Sequence, residues 1–275
     1  MGTLYVVATP IGNLEDVTLR ALRVLREVQL IAAEDTRKTL KLLATHGIRT
    51  PLESYHRHSS GGKLERILEA LETRDVALVS EAGMPGVSDP GQELIAAALV
   101  RGFPVVPVPG PSALLTALVV SGLPTDRFLY LGFLPRVKSD RRRLLDSVAE
   151  SPFTLVAFEA PHRLLVSLAD LEGVLGDRRA AAARELTKLH EEVIRGRLSE
   201  IKAAFEAKPP RGEFTLVVAP PESDSEQEAP GRSDLVDRAR RLRAEGLSAK
   251  DAVRLLVAET GAARREAYQA WLDAG

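Results

Sequence analysis

The sequence contains no cysteine among its 275 residues. This absence excludes disulfide scaffolds, thiolate nucleophiles and cysteine-ligated metals. No apolar segment approaches the ~20 residues that a membrane-spanning helix needs. The first residues also lack the basic stretch and apolar run of a secretory signal. These absences predict a cytoplasmic protein with no membrane partner.

The familiar nucleotide-binding and metal-binding motifs are missing as well. There is no GxGxxG and no GxxxxGK[ST]. His190 is followed by Glu191 and Glu192, but no second histidine completes an HExxH motif. The five histidines are scattered, so we expect no metal site. Any cofactor must therefore be held in another way.

The composition is that of a folded protein with 45% hydrophobic and 27% charged residues. The length suits one large domain or two medium ones. The formal net charge is -1. Whole-chain charge therefore gives no support for a nucleic-acid partner, which would have to be recognised by local patches.

Short apolar runs alternate with helical patterns along most of the chain. Strands are predicted at 4–8, 30–33, 76–79, 105–108, 128–131, 154–158, 180–184, 192–196 and 214–219. Helices are predicted at 17–28, 36–45, 64–71, 93–100, 112–120, 141–149 and 162–171. This alternation predicts α/β architecture, with a parallel or mixed sheet covered on both faces. We place a junction near 121–124, which gives an N-terminal α/β domain (1–121) and a second α/β domain (122–219).

The last part of the chain has a different character. Residues 220–231 are polar, acidic and bounded by proline, which predicts a linker. Three helical patterns follow at 235–245, 249–260 and 263–272, and Ser248 is a plausible N-cap. The segment 232–275 is therefore predicted to form a small helix-turn-helix-like unit.

Three loops are unusually rich in glycine and proline. They span 9–13, 80–91 and 109–113, and each follows a predicted strand. Ligands of open α/β sheets bind at the carboxyl ends of strands. Glycine lets the backbone approach a ligand closely, and proline holds a loop in shape. The loops thus indicate a ligand site, the alternative being tight turns in a compact domain.

These loops also carry a family resemblance. The blocks at 8–16, 33–37, 81–91, 159–163 and 184–192 resemble bacterial enzymes that methylate the ribose 2'-hydroxyl of a cytidine in 16S rRNA. Those enzymes have the tetrapyrrole methylase fold of the class III methyltransferases. The resemblance covers about residues 3 to 219, and the C-terminal unit is similar to a helix-turn-helix appendage of the same enzymes. Glu81 is a departure, because aspartate is expected there.

The resemblance implies two α/β domains with S-adenosylmethionine in the cleft between them. It also implies a homodimer and, as substrate, 16S rRNA or the small ribosomal subunit. The cofactor positions that it implies are Pro10, Glu81, Ala82, Gly83, Met84, Ser88, Ser112, Ala113, Glu159, Ala160, Glu185, Leu186 and Thr215.

Transfer to a ribose hydroxyl is helped by a positioned base. Glu34, Asp35 and Arg37 offer two carboxylates and a guanidinium at a strand end. They are candidates for catalysis, although Asp35 and Thr36 would also serve as helix caps. Lys188 is a further catalytic candidate beside Glu191, and the alternative for that pair is a surface salt bridge.

A dense group of cations follows the strand at 128–131. It comprises Arg136, Lys138, Arg141, Arg142 and Arg143. Phosphate binding would use such a patch, and a solvated helix face is the other interpretation. The segment 232–275 holds nine Lys/Arg and seven Asp/Glu, so RNA docking and structural packing both remain open there. Tyr268 and Trp271 would either stack on bases or form a small core.

Two other functions compete with RNA methylation. One is a methylase of the same fold that acts on a tetrapyrrole macrocycle or on a protein side chain. The other is a nucleic-acid-binding regulator whose α/β body only senses a ligand. The cation group and the C-terminal appendage disfavour the first, and the near-neutral charge disfavours the second.

Overall fold

The apolar runs form two separate five-stranded sheets in a computed structural model that describes residues 1–56, 61–222, 232–260 and 262–275. Both sheets belong to one unit, Met1–Pro220, and a second unit comprises Pro221–Gly275. Most of the predicted linker, from residue 223 to 231, lies outside the described residues. Within the described ranges, no helix has the length and apolar character needed to cross a membrane.

The first sheet is entirely parallel, with the strand order β3-β2-β4-β1-β5. Its strands are β1 (Leu4–Val7), β2 (Leu30–Ala33), β3 (Leu52–Ser54), β4 (Val76–Val79) and β5 (Val105–Val108). The central strands β2 and β4 are buried along their whole length. Continuous apolar strands of this kind are expected where helices cover both faces of a parallel sheet.

Helices on both faces bury this sheet. They are α1 (Leu19–Glu27), α2 (Thr36–Thr45), α3 (Gly61–Leu71) and α4 (Gln92–Val100). Leu25 of α1 and Leu43 of α2 join one core cluster. Ile67 of α3 and Leu94 of α4 join the cluster on the opposite face. Every one of these four side chains is almost inaccessible to solvent.

The second sheet is mixed, with the order β6-β7-β10-β8-β9. Its strands are β6 (Phe128–Phe133), β7 (Thr154–Glu159), β8 (Arg179–Arg184), β9 (Glu192–Arg197) and β10 (Phe214–Val218). Only β6 and β7 are parallel, and β10 runs antiparallel to both β7 and β8. One face packs on α6 (Lys138–Ser147), α7 (Leu164–Leu175) and α8 (Leu198–Ala207).

The other face of the second sheet is covered by α5 (Ala113–Val120), although this helix follows the first sheet in sequence. Ala117 and Leu118 of α5 share a core cluster with Val156 and Val217 of the second sheet. The helix α5 thus belongs in sequence to the first half, 1–121, but packs on the sheet of the second half, 122–219. The boundary between them near 121–124 stays a prediction.

The observed elements confirm the predicted α/β class, with two additions. The strand β3 was not predicted, because its three residues are half-buried and show no apolar run. The helix α8 was not predicted either. Its signal is the helical spacing of Leu198, Ile201 and Phe205, all of which are buried.

The C-terminal unit consists of α9 (Arg232–Ala244), α10 (Ala249–Thr260) and α11 (Arg264–Asp273). Its core includes Leu242, Leu256 and Trp271, so Trp271 serves packing rather than base stacking. Tyr268 is 52% exposed and does not join that core. The Ser248 hydroxyl accepts a hydrogen bond from the Asp251 N–H at 3.3 Å, as the predicted N-cap requires.

Candidate active site

A cavity of about 1040 Å³ lies at the carboxyl edge of the first sheet. The segments that follow β1, β2, β4 and β5 supply one wall, with Pro10, Glu34, Glu81 and Ser112 among its residues. The second sheet and its loops supply the facing wall, which includes Glu185, Leu186, Lys188 and Thr215. The position is the one expected for ligands of open α/β sheets.

Gly83 holds the loop after β4 against the loop after β1. Its N–H donates to the Thr9 carbonyl oxygen at 3.0 Å, and the Thr9 N–H donates to the Gly83 carbonyl oxygen at 2.9 Å. The φ angle of Gly83 is +76°, a conformation that side chains disfavour. Glycine adopts this conformation without strain, so residue 83 lets the loop present its backbone to the cavity.

Two contacts join the walls across the cavity. The Ser88 hydroxyl oxygen, in the first wall, lies 2.7 Å from the Tyr130 hydroxyl oxygen on β6. Burial raises the pKa of Tyr130, more than the hydrogen bond with Ser88 lowers it. At Gly12, an added Cβ would lie 2.5 Å from Lys188 Cγ and 2.9 Å from the Leu186 carbonyl oxygen. The loop after β1 can thus meet the loop after β8 only because residue 12 is glycine.

The loop after β8 has an uncommon backbone. Glu185 and Thr187 have φ angles of +50° and +67° although neither is glycine. Such conformations persist where the surrounding structure enforces them, often at functional sites. This turn places Glu185, Leu186 and Lys188 in the wall. Lys188 Nζ donates to Glu185 Oε1 at 3.0 Å.

A polar group occupies the first wall at the ends of β2 and β4. The Glu81 N–H donates to Glu34 Oε2 at 3.2 Å. Lys38 Nζ donates to Glu81 Oε1. The Glu81 carboxylate therefore bonds to Lys38 of α2, and the Glu81 backbone bonds to the Glu34 carboxylate.

Asp35 and Arg37 do not line the cavity. Asp35 is the N-cap of α2, and its Oδ1 accepts from the Arg37 N–H at 2.9 Å. The hydrogen bond from the Arg37 backbone is the largest cause that lowers the pKa of Asp35. The Arg37 side chain is 91% exposed and lies 3.5 Å from Asp35. For this pair, the structure favours capping with a surface ion pair over catalysis.

The cofactor positions implied by the resemblance divide into two groups. Those that line the cavity are Pro10, Glu81, Ala82, Gly83, Met84, Ser88, Ser112, Ala113, Glu185, Leu186 and Thr215. Glu159 and Ala160 do not. The buried Glu159 carboxylate instead accepts from the Ala160 N–H at 2.7 Å and pairs with Arg163 at 2.5 Å. It thus has a structural role at the end of β7.

The cavity also contains polar residues that sequence reasoning missed. They are Lys38, His56, Asp89 and Glu213. Lys38 lies one turn into the helix that Asp35 caps, and Asp89 lies within the proline-rich loop, so both were near recognised segments. His56 follows the unpredicted β3, and Glu213 precedes β10. No motif marks those two positions.

The predicted phosphate-binding group needs one correction. Arg141 is 2% exposed and donates from Nε to Asp170 Oδ2 at 2.9 Å and from Nη1 to the Pro135 carbonyl oxygen at 3.0 Å. Because Asp170 on α7 holds the Arg141 guanidinium inside the protein, this side chain cannot reach RNA. Arg142 also bonds to Asp170, at 2.8 Å. Arg136, Lys138, Arg142 and Arg143 are exposed, and Arg143 lies 3.7 Å from Asp140.

Metal ligands do not cluster in the part of the chain that the structure describes: no group of three or more His, Asp or Glu residues there is arranged to hold an ion.

Comparison with known proteins places this architecture in a family. The family model described as "Tetrapyrrole (Corrin/Porphyrin) Methylases" matches residues 3–202, and that of the "RsmI C-terminal HTH domain" matches residues 230–275. The chain is 48% identical to a Synechocystis sp. protein named ribosomal RNA small subunit methyltransferase I, over 99% of this chain and 98% of the relative.

A relative of the same name from Thermotoga maritima is 50% identical, over 80% of this chain and 99% of its own length. Among solved structures, the uroporphyrin-III C-methyltransferase from Thermus thermophilus complexed with S-adenyl homocysteine is similar, with a TM-score of 0.56 and 23% identity over 78% of this chain and 97% of that one. That likeness shows the fold. The chain belongs to the tetrapyrrole (corrin/porphyrin) methylase family and is a methyltransferase.

Proposed function

We propose that this chain transfers a methyl group from S-adenosylmethionine to the ribose 2'-hydroxyl of a cytidine in 16S rRNA of the small ribosomal subunit. The observation that carries the proposal is the cavity between the two sheets, walled by Gly/Pro loops and containing Glu34 and Lys188. The substrate is supported by the name shared by relatives that match nearly the full chain. A ribosomal substrate also implies a cytoplasmic location.

The residues present fit the cofactor. A volume of about 1040 Å³ is sufficient for a molecule of its size. Gly83 exposes backbone to the cavity, and Ser112 caps α5 so that Ala113 begins the helix at the wall. The positions that would hold the cofactor are Pro10, Ala82, Gly83, Met84, Ser88, Ser112, Ala113, Leu186 and Thr215. When bound, S-adenosylmethionine supplies an electrophilic methyl group on a sulfonium.

The protein's part in the reaction is alignment and proton transfer. Of the four predicted catalytic residues, only Glu34 and Lys188 line the cavity. We assign the uptake of the ribose hydroxyl proton to the Glu34 carboxylate. Lys188, held by Glu185, positions the nucleotide through its ammonium group. Asp35 and Arg37 contribute through the cap of α2.

The catalytic assignment is tested by Glu34→Gln and Lys188→Met. Glu34→Gln should lower kcat by about 10²- to 10⁴-fold, with KM for S-adenosylmethionine unchanged. Lys188→Met should mainly raise KM for RNA. Arg37→Met is the matched control, because Arg37 lies outside the cavity, and it should keep wild-type kinetics. Wild-type kcat in Glu34→Gln would remove Glu34 from the reaction.

Cofactor binding by the loop after β4 is tested by Gly83→Val. An added Cβ would meet no atom closer than 3.6 Å, so the effect should come from the φ angle of +76°. Calorimetry should show loss of S-adenosylmethionine binding, with the circular dichroism spectrum retained. Gly47→Val is the control, since Gly47 has a φ of +64° away from the cavity. Unchanged affinity in Gly83→Val would exclude this loop from the site.

The substrate is tested by incubation with labelled S-adenosylmethionine and small ribosomal subunits, naked 16S rRNA or a porphyrinogen. Label at one cytidine ribose supports the proposal and also separates subunit from naked RNA. Label in the porphyrinogen would establish the macrocycle methylase instead. Absence of label from the subunits and from naked rRNA, with the cofactor bound, would refute the proposed substrate.

The homodimer implied by the family resemblance is part of this proposal. Val106 on the edge strand β5 is exposed, as are Val119 and Val120 on α5. We assign these apolar side chains to the dimer contact, since contiguous exposed apolar surface is typical of protein interfaces. Val119→Asp should shift the sedimentation coefficient from dimer to monomer, whereas Val166→Asp, at an exposed valine on α7, should not. A monomeric wild-type protein would refute this part.

A further inference from the structure

The C-terminal unit divides its cations into two groups. Three arginines of α9 and α10 are paired with acids of the same unit. Arg238 lies 2.8 Å from Glu259, and Arg240 lies 3.1 Å from Asp237. Arg254 lies 3.3 Å from Asp251. These pairs lie on the surface of the three-helix unit, where the acids compete with any anionic ligand for the paired arginines.

Three other cations converge on a cleft of about 590 Å³. The cleft is lined by Ala249, Lys250, Val253, Arg264, Arg265 and Tyr268. None of these lining residues is acidic, and the three cations form no salt bridge with any residue of the described ranges. All three are exposed, and the Tyr268 ring is half exposed beside them.

The cations also occupy unfavourable places for helix stability. Lys250 is the second residue of α10, while Arg264 and Arg265 begin α11. The N-terminus of a helix carries partial positive charge, so cations there oppose the helix dipole. The same ends bind anions well, because their N–H groups point outward. A phosphate in the cleft would meet the three cationic side chains beside these helix ends.

The acids nearest to these helix ends are already engaged. Asp251 Oδ2 accepts from the Ser248 hydroxyl at 2.7 Å. Glu266 Oε2 accepts from the Ala263 N–H at 3.4 Å. Both acids therefore cap their helices and do not line the cleft. The net charge at the cleft is positive.

We propose that this cleft is an RNA-binding site of its own. In it, Lys250, Arg264 and Arg265 hold phosphates of a single-stranded rRNA segment, and a base stacks on Tyr268. Guanidinium groups match phosphate geometry, and an exposed aromatic ring beside cations is the arrangement that binds unstacked bases. The inference deepens the proposed function, on which it rests, by locating substrate contacts outside the methylase body.

The test compares full-length variants in binding to a naked 16S rRNA fragment at several salt concentrations. Arg264→Ala/Arg265→Ala should weaken binding about tenfold and flatten the log-log salt slope by roughly 1.4, since each single-strand phosphate contact contributes about 0.7. Tyr268→Ala should weaken binding about fivefold with an unchanged slope, and Tyr268→Phe should restore it.

Arg240→Ala/Arg241→Ala is the matched control. It removes two exposed cations of the same unit that do not line the cleft, and it should bind like wild type. Trp271 is the only tryptophan and belongs to this unit's core, so its fluorescence verifies folding of each variant.

Equal losses in the site and control variants would overturn the proposal, because general charge would then explain binding. Normal binding to naked RNA with weakened binding to the small subunit would also overturn it, in favour of a ribosomal protein partner. The proposed function is judged separately. If wild-type protein binds RNA but methylates none, that function fails while the binding comparison still decides the cleft.

Discussion

Two groups of cations in this protein show that a dense run of positive charge in the sequence does not reveal which cations have an acidic partner in the fold. The segment from Arg136 to Arg143 has five cations in eight residues, yet Arg141 is buried and Arg142 shares its partner, Asp170. Lys250, Arg264 and Arg265 are separated in sequence but converge on one cleft. A cation is available to a phosphate only where no carboxylate competes for it, and tertiary structure decides where the carboxylates lie.

Arg141, the buried member of the first group, should give the largest effect when it is changed. Arg141→Met should destabilise the protein by about 3 kcal/mol, because Asp170 would lose its main buried partner. The effect belongs at the lower end of the usual 3–5 kcal/mol, since Arg142 remains bonded to Asp170. Urea unfolding followed by circular dichroism measures it.

The matched control for this change is Arg143→Met, whose side chain is 80% exposed and which should stay within about 0.5 kcal/mol of wild type. The double variant Arg141→Met/Asp170→Leu should regain most of the loss, because no charge is left buried. A wild-type unfolding midpoint for Arg141→Met would show that the pair contributes nothing.

Acid should break the same pair. Burial raises the pKa of Asp170, but the hydrogen bonds from Arg142 and Arg141 outweigh burial and hold that pKa below its ordinary value. A lowered pKa in the folded state means stability that is present above the unfolded pKa of about 3.9. That stability is lost as pH falls through the folded value.

Wild type should therefore lose more stability than Arg141→Met/Asp170→Leu between pH 5 and the acid limit of folding, roughly the range in which such a carboxylate takes up its proton. Urea midpoints at stepped pH measure the difference. Parallel pH profiles would contradict the role given to Asp170.

The buried pair also shows which features the sequence can reveal. Apolar runs predicted the parallel strands other than β3. A strand that is buried on both faces is apolar along its length, so it can be recognised from its own residues. Arg141 finds Asp170 on another helix, and no local pattern records that contact. The residues of the cavity divide in the same way into those that the sequence reveals and those that only the fold brings together. The Gly/Pro loops were recognisable from their residues, whereas His56 and Glu213 reach the cavity only through the sheet packing.

Arg136 and Lys138 are exposed and form no salt bridge with a described residue, so they should still meet RNA. Arg136→Ala/Lys138→Ala is expected to weaken rRNA binding about fivefold and to flatten the salt slope, with little effect on stability or on S-adenosylmethionine affinity. Filter binding at several salt concentrations and calorimetry measure the two affinities. Equal RNA affinity and parallel salt slopes would show that this surface is only solvated.

The proposed cleft divides the cations of the C-terminal unit by what they contact. Arg238 and Arg254 are paired with acids of the unit, whereas Lys250, Arg264 and Arg265 line the cleft. Cations of the two kinds should then differ in role.

Arg243 provides the smallest of these tests. Its guanidinium lies 5.0 Å from the centre of the Trp271 ring, so it should stabilise the C-terminal unit by about 0.5–1 kcal/mol and contribute nothing to RNA binding. Arg243→Ala should lower the urea midpoint followed by Trp271 fluorescence, while Arg264→Ala should leave it unchanged or raise it, because Arg264 opposes the dipole of α11. The RNA affinities should follow the reverse order. If Arg243→Ala weakened RNA binding as much as Arg264→Ala, pairing within the unit would not be what separates structural from RNA-binding cations, and the comparison of the two groups would lose its basis.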